Sequence, residues 1–190
     1  MIEELIRQNR SCRRFYQDEA VSRETLVWLV NLARLSASAA NLQPLKYLLS
    51  NDPSKNNGIF SCLAWAGYLK DWPGPPEGER PAAYLVILGD RDITANFGCD
   101  HGIAAQSILL GAREIGLAGC ILGSIDRERL RQVLALPAKY DILLVIALGR
   151  PKEQAVLEEV GPDGDIRYWR DESGVHHVPK RRLEDIILNF

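Results

Sequence analysis

The stretch Asn9-Arg10-Ser11-Cys12-Arg13-Arg14-Phe15, complemented by Ser38-Ala39-Ala40-Asn41-Leu42-Gln43-Pro44, decides how this chain is interpreted. The first stretch places three guanidinium groups and a hydroxyl close together near the N-terminus. Such groups favour phosphate, because hydrogen bonds from charged donors are stronger than neutral ones. The second stretch has small side chains that let a ligand approach the backbone, and amides that both donate and accept hydrogen bonds. Together they are compatible with a site for a phosphate-bearing ligand with a flat polar ring.

A second basic cluster, Lys180-Arg181-Arg182, lies at the other end of the chain. Two like-charged clusters repel each other unless an anion lies between them. The alternative is that the clusters are two solvated surface patches that never meet. The stretch from Ser38 to Pro44, taken alone, is also compatible with a helix end and a turn before the proline. Charge and composition by themselves leave these alternatives open.

Bulk composition excludes several classes of protein. The chain has 190 residues and a net charge of −2, which suits one domain and excludes the broad positive field of a nucleic-acid-binding protein. Its four cysteines are not spaced as C-x-x-C, which disfavours zinc and thioredoxin-like sites. No apolar run approaches the roughly 20 residues of a membrane span, and the N-terminus has no signal-peptide pattern. We therefore expect a cytoplasmic protein with no nucleic-acid or membrane partner.

Periodicity and capping signals predict alternating helices and strands, so the fold is mixed α and β. Ser22 and Asp126 are the expected N-caps of two helices. The prolines and glycines of residues 71–80 exclude a helix or a central strand there, which predicts a structured loop. Helices are predicted over residues 2–8, from the cap Ser22 to about Leu35, and over 59–69, 100–115, 127–134 and 183–188. Strands are predicted over residues 46–49, 83–88, 120–123 and 141–148, and a hairpin over 166–170 and 175–178.

Five motifs follow one another in an order that resembles the FMN-dependent nitroreductase family, from about Ile6 to Ile187. They are R-S-x-R-x-F at residues 10–15, S-A-x-N-x-Q-P at 38–44, D-x-G-I-A-A-Q at 100–106, G-L-x-G-C-x-x-G at 116–123 and the basic cluster at 180–182. Each motif alone is weak, but five in the same order form a specific signal. Three positions depart from the family pattern: Asn9 where many members have arginine, Ala37 where proline is usual, and Leu45 where an aromatic residue is common.

The resemblance implies an α+β fold with a mixed central sheet flanked by helices, in a single domain over residues 1–190. It also implies a homodimer in which an extended C-terminal arm, about residues 152–190, is exchanged between the subunits. FMN would be the cofactor, and hydride would pass from NAD(P)H through the flavin to a nitroaromatic, quinone or similar acceptor by a ping-pong mechanism. The flavin itself carries the electrons, so neither a catalytic side chain nor a metal is implied.

Ten residues would bind the cofactor if the roles known in the family carry over: Arg10, Ser11, Arg13, Ser38, Asn41, Gln43, Leu122, Gly123, Lys180 and Arg181. Arg10, Ser11 and Arg13 would hold the phosphate and the ribityl and pyrimidine side. Arg181, with Lys180, would complete the phosphate site. Arg13 is also the candidate cation near the flavin N1 and C2 oxygen, where it would stabilise the reduced anion.

The flavin ring would be met by two other stretches. Ser38 and Asn41 would reach it from the partner subunit, with Gln43 close by. Leu122 and Gly123 would lie beside the ring, with backbone N–H groups near its reactive edge.

Two other functions are compatible with the same residues. One keeps the fold and changes the flavin chemistry to dehalogenation or to fragmentation of the flavin. The other is a non-catalytic module that only binds FMN. The Pro-rich loop near Trp72 differs from a simple lid, which leaves the first alternative open. The aromatic residues Trp65, Tyr68 and Trp72 either cover the substrate site or pack as a satellite of the core.

Three further side chains have less certain roles. His176 and His177 occupy adjacent strand positions, so they point to opposite faces and form a poor metal site. Cys12 lies between a serine and an arginine, a setting that can lower a thiol pKa. We nevertheless expect it to be an inert cysteine.

Overall fold

The computed structural model describes residues 1–188 and shows a central sheet with helices on both faces. The helices are α1 Ile2–Gln8, α2 Arg23–Arg34, α3 Pro53–Phe60, α4 Asp100–Glu114 and α5 Arg127–Val133, with a short 3₁₀ helix at Ala39–Asn41. The strands are β1 Phe15–Tyr16, β2 Leu45–Ser50, β3 Ala83–Asp90, β4 Ala118–Leu122, β5 Tyr140–Pro151, β6 Ala155–Glu159, β7 Trp169–Arg170 and β8 His176–Lys180.

The central sheet contains the first five strands. β3 lies between β2 and β5, and β5 also pairs with β1 and β4. All four pairings are antiparallel. The α+β class is therefore confirmed, whereas the mixed strand directions expected for the central sheet are not found among its described strands.

Strand β3 is buried along its whole length, because helices cover both faces of the sheet. Successive side chains of a strand point to opposite faces. Leu85 and Ile87 accordingly pack with α2 and α4 on one face, while Tyr84 and Val86 pack with α3 and α5 on the other. The uninterrupted apolar run that predicted this strand is explained by burial on both sides.

Side chains cap two of the predicted helices as expected. The Ser22 hydroxyl accepts a hydrogen bond from the N–H of Thr25 at 3.1 Å. The Asp126 carboxylate caps α5 in the same way, because it accepts a hydrogen bond from the backbone N–H of Arg129 at 3.1 Å. Among the described helices, none is both long and apolar enough to cross a membrane.

Two predicted helices are wrong. Helix α3 begins at Pro53, directly after the cap Asp52, and ends at Phe60, so residues 61–69 form turns and irregular chain. Apolar residues such as Trp65 suggested a helical stripe there, but they are buried against the sheet from this irregular segment. Residues 183–188, also predicted to be a helix, contain only a turn.

The residues after β5 form a second sheet of three strands in the order β6-β8-β7. Strands β7 and β8 pair antiparallel, which confirms the predicted hairpin. Strand β6, which the sequence analysis did not predict, pairs parallel with β8. This small sheet forms most of the C-terminal arm, and β8 brings Lys180 back towards the start of the chain.

Candidate functional site

The two ends of the chain meet at a cavity of about 190 Å³, which we call the arginine cavity. Its lining residues come from the N-terminal segment and from the arm: Asn9, Arg10, Ser11, Arg13, Tyr168, His176, Val178 and Lys180. The predicted phosphate-binding residues Arg10, Ser11 and Arg13 therefore line the same cavity as Lys180 from the other end of the chain. The two basic clusters are not the separate surface patches that the alternative interpretation required.

Arg13 is held on several sides in this cavity and is only 7% exposed. Its Nη1 lies 3.1 Å from His176 Nε2, and its guanidinium carbon lies 4.7 Å from the centre of the Tyr168 ring. Its backbone N–H donates to the carboxylate of Glu153. These contacts fix both the backbone and the side chain of Arg13.

Three nitrogens of this cluster are buried without a hydrogen-bond partner among residues 1–188: Arg10 Nε, Arg13 Nε and His176 Nδ1. A buried donor without a partner costs stability, and more so when it belongs to a charged group. Burial also lowers the pKa of Arg10 from its ordinary value. An anion in the cavity would offset the repulsion between these cations and offer an acceptor to their guanidinium groups, so the residues present fit a phosphate group.

A second cavity of about 140 Å³ lies between the end of α2 and the start of α4, and we call it the serine cavity. Its lining residues are Ala33, Arg34, Ser36, Ala37, Ser38, Gln43, Leu45, Tyr47, Asp100 and Ala104. The hydroxyl of Ser38 donates to Asp100 Oδ2 at 2.6 Å and accepts from the backbone N–H of Gln43 at 2.9 Å. The N–H of Ala39 donates to the other oxygen of Asp100 at 3.0 Å.

The backbone beside the serine cavity is strained. Ala40, Asn41 and Gln43 have φ angles of 49°, 56° and 50°. Only glycine adopts this left-handed region freely, and asparagine tolerates it better than alanine or glutamine does. Such strain persists only where surrounding contacts hold it, and it is concentrated at functional sites. Asp100, which is buried, supplies two of the contacts that hold this turn.

The remaining predicted site residues lie outside both cavities. Leu122 is buried at the end of β4, and the adjacent Gly123 is exposed. Asn41 and Arg181 are exposed, and neither lines the arginine cavity or the serine cavity. The cofactor-binding roles of all ten predicted residues, inside the cavities and outside them, stay predictions.

Four residues in or beside the two cavities had no cofactor-binding role in the sequence analysis. Asp100, Tyr168 and His176 line the cavities, and Glu153 accepts from the backbone N–H of Arg13. Asp100 was visible as the first residue of the D-x-G-I-A-A-Q motif, and its position one residue into a helix is compatible with anchoring a neighbouring turn. No local pattern identifies the other three, because their contacts to Arg13 join distant parts of the chain.

The aromatic residues of the loop region divide into two groups. Trp65 is buried in the core on the α3 side of the sheet, so it packs as core. Tyr68 and Trp72 instead contact the arm. The ring centres of Tyr68 and Tyr168 are 4.9 Å apart, and the guanidinium carbon of Arg170 lies 4.4 Å from the Trp72 ring. The loop and the arm therefore pack against each other beside the arginine cavity.

Cys12 is buried, although it lies between two residues of the arginine cavity. Burial raises the pKa of its thiol to about 12, and the charge of Glu153 acts in the same direction. The neighbouring guanidinium groups do not outweigh this desolvation. At neutral pH the thiol is protonated, which agrees with the expectation of an inert cysteine.

The fold agrees with the comparison to known protein families. Residues 6–64 and 76–150 match the model of the nitroreductase family. This chain belongs to the nitroreductase family. The match leaves out residues 65–75 and everything after residue 150, which are the loop and the arm that pack against each other.

Individual relatives of known name are also similar to this chain, at sequence identities of 24–26%. An oxygen-insensitive NADPH nitroreductase of Helicobacter acinonychis is 24% identical over 199 residues, covering 87% of this chain and 95% of the relative. A 5,6-dimethylbenzimidazole synthase of Rhodospirillum rubrum is 24% identical over 186 residues, covering 84% of this chain and 86% of the relative. The solved structure of an FMN-dependent nitroreductase from Clostridium difficile is 26% identical with a TM-score of 0.65, covering 81% of this chain and 89% of that one.

Proposed function

We propose that this chain is an FMN-dependent oxidoreductase that uses NAD(P)H to reduce nitroaromatic, quinone or similar acceptors. The observation that carries the proposal is the arginine cavity, where basic residues from both ends of the chain surround buried donors that have no partner among residues 1–188. Membership of the nitroreductase family supports it. So do the names of two relatives, an NADPH nitroreductase and an FMN-dependent nitroreductase.

The arginine cavity would hold the phosphate end of FMN. Arg10 presents a buried Nε that lacks a partner among the described residues, and a phosphate oxygen is the strong acceptor that such a donor needs. Ser11 and Lys180 add a hydroxyl and an ammonium group at the same cavity. Arg181 does not line it, so Lys180 is the better candidate for the contribution from the arm.

When bound, FMN accepts hydride from the nicotinamide donor and delivers the electrons to the acceptor. The chain would bind and orient the reactants, which enter the same space in turn and so give ping-pong kinetics. Arg13 is the cation proposed to stabilise negative charge on the reduced ring, since it is fixed and largely removed from water, where a charge acts more strongly. Leu122 and Gly123, at the end of β4, would lie beside the ring.

The serine cavity and the arginine cavity share no lining residue. The proposal therefore includes a homodimer in which the Ser38–Gln43 segment of one subunit completes the site of the other. Exposed apolar side chains on α2 and α4, including Val27, Trp28 and Ile103, support such an interface, because exposed apolar patches mark association surfaces.

The end of the arm would take part in this dimer. Residues 153–180 contact Arg13 and Tyr68 of their own chain. Beyond Lys180, four apolar side chains are each more than half exposed: Leu183, Ile186, Ile187 and Leu188. We propose that this last segment is the part exchanged with the partner subunit, where these side chains would be buried.

A flavin-binding and reduction experiment tests the function. The purified protein is expected to be yellow, or to take up added FMN, and its flavin absorbance is expected to bleach under anaerobic conditions with NADH or NADPH. Reoxidation by a panel of nitro compounds and quinones would then identify the acceptor class. A protein that takes up no FMN would contradict the proposal. Bound flavin that neither nicotinamide reduces would indicate the non-catalytic binding module instead.

The Rhodospirillum rubrum relative favours a second candidate function, in which the same site fragments the flavin. The name of this relative identifies its product as 5,6-dimethylbenzimidazole. The benzene ring of that product carries two methyl groups, as does the benzene ring of a flavin. Chromatography of the small molecules after anaerobic reduction and exposure to air would decide between the two. Intact FMN with turnover of an added acceptor supports the reductase, whereas loss of FMN with a new benzimidazole product supports fragmentation.

A further inference from the structure

His176 makes the contact that orients the Arg13 side chain. The two residues are 163 positions apart in the chain, and Nη1 of Arg13 lies 3.1 Å from Nε2 of His176. A guanidinium group has donors but no acceptor, so Arg13 donates and the ring nitrogen accepts. The imidazole must then be neutral, with its proton on Nδ1, the nitrogen that is buried without a partner among the described residues.

The surroundings keep this imidazole neutral. His176 is only 1% exposed. Burial lowers its pKa to about 4, and the charges of Arg13, Arg170 and His177 act in the same direction. At neutral pH the ring therefore stays an acceptor, which an arginine requires and which a protonated histidine could not provide.

Other arm contacts leave Arg13 little freedom. Glu153, whose side chain is 1% exposed, accepts from the backbone N–H of Arg13. The same carboxylate accepts from Arg170 at 2.8 Å. The Tyr168 ring covers one face of the guanidinium plane. His176 then fixes the direction of that plane, and the Nε–H of Arg13 is left without a partner among residues 1–188.

We propose that His176 is a positioning residue of this enzyme, which aligns the guanidinium group of Arg13 for the bound cofactor. The inference rests on the proposed function. It concerns the arm, which lies outside the part of the chain that matches the family model, since that match ends at residue 150. The arm in this view supports the cofactor site through residues that lie after the end of that match.

Three variants test the role of His176. His176→Leu removes the acceptor, and His176→Gln keeps one near the position of Nε2. His177→Gln is the matched control, because His177 is adjacent but contacts Glu158 and Asp171 on the other face. Flavin fluorescence is expected to show FMN binding weakened about tenfold or more in His176→Leu, consistent with losing a hydrogen bond to a charged group. His176→Gln is expected within about threefold of the original protein, and His177→Gln within about twofold, since these keep the Arg13 contact.

The two-electron reduction potential of bound FMN separates positioning from general loosening of the fold. A misplaced Arg13 would weaken binding of the reduced cofactor more than of the oxidised one. The potential of His176→Leu is therefore expected to fall, by about 30 mV for each tenfold difference between the two affinities. A potential equal to that of the original protein would overturn the positioning role, and so would equal effects of His176→Leu and His177→Gln on FMN binding.

An NMR titration without flavin tests the contact separately from the proposed function. The ring signals of His176 are expected not to titrate between about pH 5 and 8. In Arg13→Gln, with the titration continued to acid below pH 4, the loss of the neighbouring charge is expected to raise the pKa of His176 above its value of about 4. An unchanged His176 titration in Arg13→Gln would overturn the inference. If the original protein takes up no FMN, the proposed function fails, and this titration still decides whether His176 holds Arg13.

Discussion

The arginine cavity and the serine cavity are built in opposite ways. The arginine cavity joins the two ends of the chain and contains several cations with buried nitrogens that have no partner among the described residues. The serine cavity joins neighbouring elements, and its buried charge, Asp100, already accepts hydrogen bonds from Ser38 and Ala39. The first cavity thus contains donors without partners, to which a bound anion could offer acceptors. The second has satisfied polar groups that hold a strained turn in place.

This difference separates two contributions to one site. Unsatisfied donors provide affinity, because a ligand gains the hydrogen bonds that the protein lacks. A turn that is already held in a strained shape provides preorganisation, because its strain is offset by contacts present before a ligand arrives. Substitutions in the first cavity should therefore change binding, and substitutions in the second should change stability.

The largest effect is expected for Arg13→Ala. The variant loses the guanidinium donors of the arginine cavity, so FMN binding should weaken by about 1.5–3 kcal/mol, as measured by flavin fluorescence titration. The control is Arg150→Ala, because the Arg150 side chain is 63% exposed and pairs only with the exposed Glu19 among the described ion pairs. Equal affinity of the two variants would show that Arg13 does not contact the cofactor.

Asp100→Asn should affect stability. The amide is a weaker acceptor than the carboxylate for the hydroxyl of Ser38 and the N–H of Ala39, so the free energy of unfolding should fall by about 1–2 kcal/mol. Urea denaturation measures this change. Asp92→Asn is the control, since Asp92 forms an exposed pair with Lys139 that should contribute little to stability. If both variants are equally stable, contacts other than Asp100 hold the strained turn.

Acid should weaken the attachment of the N-terminal segment at Glu79. The hydrogen bond from Arg14, helped by Lys152, lowers the pKa of Glu79 to about 2. The unfolded chain binds this proton more tightly, so the stabilisation is complete above the unfolded pKa of about 4.3 and is lost as the pH falls towards 2.

Glu79→Gln should therefore lower the free energy of unfolding at neutral pH by about 1–2 kcal/mol, a range reduced for the partly exposed partners. It should also flatten the loss of stability on acidification, which chemical denaturation at several pH values would measure. Glu19→Gln, at an exposed pair, serves as the control. An unaltered pH profile in Glu79→Gln would mean that other carboxylates control acid unfolding.

The smallest effect concerns thiol reactivity. Three cysteines are buried and Cys99 is exposed, so a thiol reagent at neutral pH should modify one thiol per folded chain. Cys99→Ser should remove this reaction. Rapid modification of Cys12 in the folded protein would show that the segment carrying the arginine cavity opens readily, contrary to the burial that raises its pKa.

Local patterns predicted the framework well. The apolar run at residues 83–88 became the buried strand β3, and Ser22 and Asp126 became helix caps, because burial of a strand and capping of a helix are both properties of adjacent residues. The prediction failed at residues 59–69, where apolar side chains that looked like a helical stripe reach the core from turns. Periodicity reports which side chains are buried, but it does not report whether the backbone that carries them is helical.

The arm shows the limit of local reasoning most clearly. A hairpin over residues 166–170 and 175–178 was predicted, but the parallel strand β6 was not, because parallel pairing joins segments that no turn signal connects. The position of His176 against Arg13 was equally invisible. The two residues are far apart in sequence, and no motif around either one indicates that they are in contact.

The sequence by itself determined which residues carry charge, where one fully apolar strand lies, where two helices begin, and which family the motif order resembles. Each of these follows from chemistry that acts between neighbouring residues or from the order of motifs along the chain. Only the tertiary structure decided that the N-terminal arginines meet Lys180 and His176, and that Asp100 holds the turn after Ser38. Such contacts depend on how the sheet and the arm bring distant segments together, because a hydrogen bond forms only where the folded backbone places both partners.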